Sequence, residues 1–128
     1  MGAKTRKHTV VAVSDGSQVG TFYTPYVSGF IESVQYVKAD SGGYTDGVDF
    51  TITAEATGED VWVDTNINAS EVVRPRAATC TTAGVAALYA ASGAVNDRIA
   101  LARDRVKIVL AAAGASKTGT FVITVADR

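Results

Sequence analysis

The chain has very few of the side chains from which most active sites and metal sites are built. Its 128 residues include one histidine, His8, and one cysteine, Cys80. One cysteine excludes an internal disulfide, and this pair alone cannot complete a zinc site within one chain. Because His8 is far from Cys80 along the chain, we expect no nucleophile–base pair, and Cys80 is predicted to be a small buried thiol. The sequence therefore predicts no enzyme, no catalytic residue, no metal ligand and no cofactor.

An excess of charge of one sign is also missing. The net charge is −1, so nothing favours nucleic acid or an anionic membrane as partner. No stretch reaches the roughly 18 apolar residues of a membrane-spanning helix. The charges are nevertheless unevenly spread, since residues 32–71 carry nine acids and one base, whereas residues 74–107 carry six bases and two acids. Such blocks suit contact between protein chains, although loops that collect acids by chance are the alternative.

Alternation of apolar and polar residues is the dominant pattern that is present. The clearest case is residues 48–56, where Val48, Phe50, Ile52 and Ala54 alternate with polar side chains. Shorter strands are predicted on either side, separated by turns that contain glycine. The pattern predicts an all-β fold: an antiparallel β-sandwich, with the jelly roll as candidate topology. One alanine-rich segment, residues 82–92, is predicted to form a short helix or a crossover.

The N-terminal residues carry a separate group of positive charges. Residues 1–8 contain Lys4, Arg6 and Lys7 and no acid, which predicts a basic N-terminal arm ahead of a single domain over residues 9–128. The arm is either a disordered tail or a segment that becomes ordered on a neighbouring subunit.

The segment 114–120, GASKTGT, resembles a phosphate-binding loop at first sight. Gly114 and Gly119 have the spacing of that motif, but Thr120 and Phe121 stand where a lysine and a hydroxyl residue are required. The residues that follow alternate as a strand, so no helix dipole is available for a phosphate. We therefore predict the tip of a C-terminal hairpin, whose glycines supply backbone freedom and whose Lys117 is a surface charge for a protein partner.

Aromatic side chains suggest a second possible use of the surface. Trp62 is out of phase with Val61 and Val63, which predicts that it is exposed or lies in an interface if the valines face the core. The alternative places Trp62 in the core. An exposed Trp62 with nearby tyrosines would supply a stacking platform for a carbohydrate or receptor.

Four segments resemble small structural proteins of tailed bacteriophages. They are residues 45–59 (TDGVDFTITAEATGE), 86–90 (AALYA), 96–107 (NDRIALARDRVK) and 117–121 (KTGTF). Within that group the chain is most similar to capsid decoration, or cement, proteins, and the resemblance covers about residues 9 to 126.

This resemblance implies a structural virion protein on the capsid surface, made in the host cytoplasm. It would bind the major capsid protein, stabilise the assembled head and self-associate as a dimer or trimer, with no nucleic acid, membrane or small-molecule substrate as partner. Lys4, Arg6, Lys7, Trp62 and Lys117 are the candidate partner contacts. A neck, tail or fibre-associated virion protein and a carbohydrate- or receptor-binding β-sandwich are the alternatives.

Overall fold

A computed structural model describes residues 4–90 and 93–127, which form strands and connecting turns without a helix. The ten strands of this part of the chain are β1 (Thr5–Val13), β2 (Gly20–Tyr23), β3 (Val27–Lys38), β4 (Val48–Ala54), β5 (Asp60–Ile67), β6 (Glu71–Val73), β7 (Arg76–Ala78), β8 (Asn96–Asp104), β9 (Val106–Ala111) and β10 (Thr118–Ala126). The described residues include no helix that could cross a membrane.

The strands form two antiparallel sheets that enclose one core. The first sheet, sheet A, has the order β1-β10-β3-β8-β7, and β6 also pairs with β3. The second, sheet B, has the order β2-β9-β4-β5. Without the three-residue strands β6 and β7, each sheet keeps four strands. In chain order these strands alternate between the sheets except at the β4–β5 hairpin, as in the two Greek keys of a jelly roll. The predicted antiparallel sandwich is confirmed.

Alternation along the central strands explains how the sheets bury a common face. In β4 the side chains of Val48, Phe50, Ile52 and Ala54 are all buried. The ring of Phe50 packs edge-on against Tyr36 at 4.9 Å and Phe121 at 5.0 Å, so sheet B contacts sheet A through aromatic side chains. Edge-to-face pairs of this kind contribute about 0.5–1.5 kcal/mol each beyond the burial of their area.

A β-bulge in β5 decides the position of Trp62. Ile52 pairs with Trp62 and Thr53 pairs with Asp60, so Val61 is an extra residue in the ladder. Because of this insertion both Val61 and Trp62 are buried, and the ring of Trp62 packs edge-on against Phe50 at 5.3 Å. The prediction that Trp62 is exposed or lies in an interface is wrong, and the core alternative holds.

The alanine-rich segment does not form the predicted short helix. Residues 81–90 are turns and isolated bridges, with Cys80 opposite Ala86 and Leu88 opposite Ala94. Gly84 has φ +78°, which a right-handed helix does not accommodate. The segment is an irregular excursion between β7 and β8, which are antiparallel neighbours in one sheet, so it is not a crossover between sheets either. Residues 91 and 92 of the predicted element lie outside the described residues.

Two further boundaries differ from the sequence prediction. The predicted arm 1–8 is in part a strand, because Thr5 to His8 pair with Ala126 to Ile123 at the start of β1; residues 1–3 lie outside the described part. The segment 112–117 is not a hairpin tip, since β9 belongs to sheet B and β10 to sheet A. The connection turns with positive φ at Ala112, Gly114 and Ser116.

Gly119 has a packing role and not the predicted conformational one. A Cβ atom there would lie 2.5 Å from the ring of Tyr44. The Tyr44 hydroxyl donates a 2.6 Å hydrogen bond to the Ala12 carbonyl oxygen, and burial raises the pKa of this hydroxyl. Gly119 therefore makes room for an aromatic ring that ties the loop before β4 to the edge strand β1.

Candidate functional site

Part of the outer face of sheet A, bordered by Lys7 on β1, carries no charge, and we call this part the Val/Thr face. Val11, Val37 and Val72 are 60%, 39% and 47% exposed on three different strands. The register places them side by side, because Val11 pairs with Thr120 and Thr120 with Val37. The face consists of Thr9, Val11, Val13, Ser33, Gln35, Val37, Val72, Thr118, Thr120, Val122 and Thr124. Five of these side chains are valines and six are uncharged polar residues, so a protein partner could cover the face without leaving a charge unpaired.

The free edge of β1 borders the Val/Thr face. At one end the Asp127 N–H donates to the Lys4 carbonyl, and at the other the Ser14 N–H donates to the Lys117 carbonyl. Bonded pairs alternate along an antiparallel ladder, so the even-numbered residues of β1 bond to β10. The N–H and C=O groups of the odd-numbered residues point away from the sheet. Since β10 is the only partner of β1 within residues 4–90 and 93–127, this row of groups is open to a further strand.

The predicted basic contacts do not form one cluster. Arg6 pairs with buried Val125 and so lies on the inner face of β1, whereas Lys7 lies on the outer face. Lys117 is adjacent to Ser14, at the opposite end of β1 from Lys4. The nine residues of β1 separate these two ends by about 30 Å. A partner that touches all four side chains would have to run along the whole β1 edge.

A polar pocket of about 270 Å³ lies at the end of the sandwich, where the inner row of β1 passes beyond the core. Its polar residues include Arg6, His8, Ser28 and Asp127. The His8 Nε2 atom is buried and has no hydrogen-bond partner within residues 4–90 and 93–127. Because Arg6 and Asp127 both line it, the pocket offers opposite charges and not a uniformly positive site for an anion.

An arginine between two tyrosines forms a second polar cluster that the sequence patterns did not indicate. The Arg105 guanidinium lies 3.9 Å from the ring centre of Tyr23 and 4.9 Å from that of Tyr26. It donates two hydrogen bonds to Glu55, of 2.6 and 3.0 Å, and this bonding lowers the pKa of the Glu55 carboxyl. Tyr23 and Tyr26 are about 80 residues from Arg105 in the sequence, so no local pattern brings them together.

The positions of the aromatic side chains reduce the stacking platform that was predicted for a carbohydrate. Trp62, Tyr36 and Tyr44 are buried in the core. Tyr23 and Tyr26 are exposed, but Arg105 already stacks on both rings. A sugar would have to displace that arginine from its cation–π contacts, which contribute about 0.5–2 kcal/mol.

The segment that resembles a phosphate loop uses its own amide groups within the protein. The Lys117 N–H donates to Ser14 Oγ at 2.9 Å, and the Ser116 N–H donates to the Asp15 carbonyl. The Thr118 N–H donates to the Gly42 carbonyl. These three donors bind neighbouring loops, so they are not directed at a ligand.

The cysteine differs from its predicted position, and the carboxylates form no metal-binding group in the described part of the chain. Cys80 is exposed, so the prediction of a buried thiol is wrong; it lies in the irregular excursion after β7 and not under a sheet. Residues 4–90 and 93–127 contain no group of three His, Cys, Asp or Glu side chains placed to hold a metal ion.

Comparisons with known proteins identify no family for this chain. No protein-family model matches the chain, and no curated protein matches it. One similar solved structure is titled "Crystal Structure of FLHE"; it is 8% identical, covers 98% of both chains and has a TM-score of 0.46. A likeness at this level carries no argument about function.

Proposed function

We propose that this chain is a structural virion protein, a capsid decoration protein of a tailed bacteriophage that binds the assembled head and stabilises it. The observation that carries the docking role is the Val/Thr face. Protein contacts bury such a surface at low cost, because valine and threonine need no charged partner and hold few side-chain conformations. The phage assignment comes from the resemblance of residues 45–59 and 96–107 to small phage structural proteins.

The sandwich supplies a rigid base for such contacts. Side chains that face inward fill the space between the sheets, as with Phe50, Tyr36 and Phe121, so the outer faces and edges remain for partners. On a shell made of many copies of one protein, a fixed face is repeated at every equivalent position, and weak single contacts add up. The partner that we propose is the major capsid protein.

Co-sedimentation with empty heads, built from the major capsid protein of the same phage, tests this proposal. The unmodified protein should be enriched in the pellet above a bystander protein of similar size. Val72→Glu places a charge on the Val/Thr face and should weaken binding at least about tenfold. Val63→Glu is the matched control, because Val63 is 52% exposed on sheet B and so lies outside the Val/Thr face. This variant should bind heads as the unmodified protein does.

Each outcome has a definite meaning. No enrichment of the unmodified protein on heads would overturn the decoration role, and enrichment on purified tails instead would favour the neck or tail alternative. Equal binding by Val72→Glu and Val63→Glu would overturn the role of the Val/Thr face. Thermal unfolding of both variants checks that the added charge has not unfolded the sandwich.

A further inference from the structure

The β1 edge differs from the other edges of the two sheets. Strands β2, β6 and β7 have four, three and three residues, and β5 contains two register shifts. Short, irregular edges resist pairing with another chain. β1 instead has nine residues in unbroken register with β10. Its odd-numbered residues present free N–H and C=O groups on the side away from the sheet.

The charges of β1 are confined to one end. Residues 9–13, TVVAV, carry none, and Val11 at their centre is 60% exposed. Arg6 and Lys7 precede this stretch, and Asp15 follows it. Natural proteins protect long edges with charges or proline, and neither is present between Thr9 and Val13.

We propose that a second copy of this chain pairs with β1 in antiparallel orientation, about a twofold axis that passes beside Val11. In such a contact, if residue i of one copy faces residue j of the other, then residue j faces residue i. Only odd-numbered residues of β1 offer free N–H and C=O groups, so odd residues must face odd residues and the sum of paired residue numbers must be even. Centred on Val11, the pairing opposes Thr9 and Val13 and joins the free groups of Thr9, Val11 and Val13 of both copies. The two Val/Thr faces then form one continuous surface.

The position of the uncharged stretch selects this register, because an axis at Val11 pairs residues 9–13 with themselves. Lys7 then lies opposite the turn that follows β1, where Asp15 Oδ1 already accepts hydrogen bonds from the Ser17 and Val19 N–H groups. The two Lys7 side chains are eight residues apart along the pair, about 26 Å, which is beyond the screening length of about 8 Å at physiological salt. An axis at Thr9 would halve this separation of like charges and place each Lys7 opposite Val11 of the other copy.

The inference rests on the proposed assembly role for its purpose, but its test needs only the isolated protein. In a Cys80→Ser background, Val11→Cys should form a disulfide-linked dimer under mild oxidation. Bonded antiparallel pairs have Cα atoms about 5.5 Å apart, within the range that a disulfide spans. Thr9→Cys is the matched control: it is exposed on the same face, but its counterpart is four residues away, about 13 Å.

A second variant removes the free N–H group of Val11 from the β1 edge, and its test does not depend on a chemical crosslink. Val11→Pro deletes an N–H that points away from β10, so the ladder with β10 loses no bond. Sedimentation velocity should show the unmodified protein as a concentration-dependent dimer and Val11→Pro as a monomer. The thermal midpoint of dilute Val11→Pro, measured where both proteins are monomers, should stay close to that of the unmodified chain.

Three results would overturn the inference. They are a monomer at every concentration, equal crosslinking rates for Val11→Cys and Thr9→Cys, and an undiminished dimer in Val11→Pro. Crosslinking at Thr9→Cys alone would place the axis elsewhere and overturn this register. A dimer that does not bind heads would contradict the decoration role and leave this inference standing, while heads bound by a monomer would do the reverse.

Discussion

The edge strands β1 and β5 close opposite sheets of the sandwich, yet only one of them is suited to pairing. β5 has eight residues, but Val61 is inserted as a bulge, Asn66 has φ +58°, and Asp60 and Asp64 are exposed. β1 has nine residues without an irregularity. The difference suggests that the β5 edge is protected against a further strand, whereas the β1 edge is left open to receive one.

The largest expected effect concerns the bulge that makes β5 irregular. Trp62→Ala should lower the free energy of unfolding by about 3–5 kcal/mol, because it removes a 7%-exposed side chain that packs against Phe50. Val63→Ala on the same strand is the control and should change it by no more than about 0.5 kcal/mol. Urea denaturation followed by circular dichroism measures both. Equal losses would mean that the packing of Trp62 against Phe50 does not stabilise the fold.

A smaller effect is expected where β5 adopts a left-handed conformation. Asn66→Val should destabilise the protein by about 1–2 kcal/mol, since a β-branched residue is strained at φ +58°. The Asn66 N–H bonds to Asp49 Oδ1 at 3.1 Å, which holds this conformation in place. Asn66→Gly is the control and should retain the stability of the unmodified chain. If the valine variant is as stable as the glycine variant, the irregularity of β5 does not come from this residue.

The sequence patterns predicted the strands better than their phase. Alternation in residues 48–56 correctly placed Phe50 and Ile52 in the core, because β4 has no insertion in its own chain. It misplaced Trp62, since a bulge shifts the period of two by one residue and leaves no sequence signal as strong as the alternation itself. In β3 the register likewise shifts opposite Thr124 and Val125, so that Ile31 and Val34 are both buried.

Connections between elements were less predictable than the elements. β9 and β10 are neighbours in sequence but lie in different sheets, and this depends on the backbone turn at Ala112 and Gly114. The segment 82–92 has alanines that favour a helix locally, yet Gly84 and the pairing of Cys80 with Ala86 override that preference. The pairing of Thr5 with Ala126 joins the two ends of the chain, which no local pattern reveals.

The candidate surfaces were predictable only in part. Lys4, Arg6 and Lys7 were identified as a basic group, but which of them face inward depends on the register with β10. The Val/Thr face combines residues from β1, β3, β6 and β10, and none of these strands is unusual by itself. It follows from the strand order, so it becomes visible only when the sheet is assembled.

The smallest expected effect is a pH dependence at the corner of sheet B beside the start of β5. The pKa of Glu55 is lowered chiefly by its hydrogen bonds to Arg105, so the folded chain holds fewer protons here than the unfolded chain. This contribution to stability is present above the ordinary pKa of 4.5 and is lost as the pH falls through the lower folded value. Glu55→Gln should therefore flatten the fall of the urea midpoint below about pH 5, relative to the unmodified chain. Glu59→Gln, an exposed carboxylate in the neighbouring turn with no ion pair within residues 4–90 and 93–127, should keep the original slope. A slope in Glu55→Gln equal to that of the unmodified chain would show that the pair with Arg105 gives the folded state no advantage in this pH range.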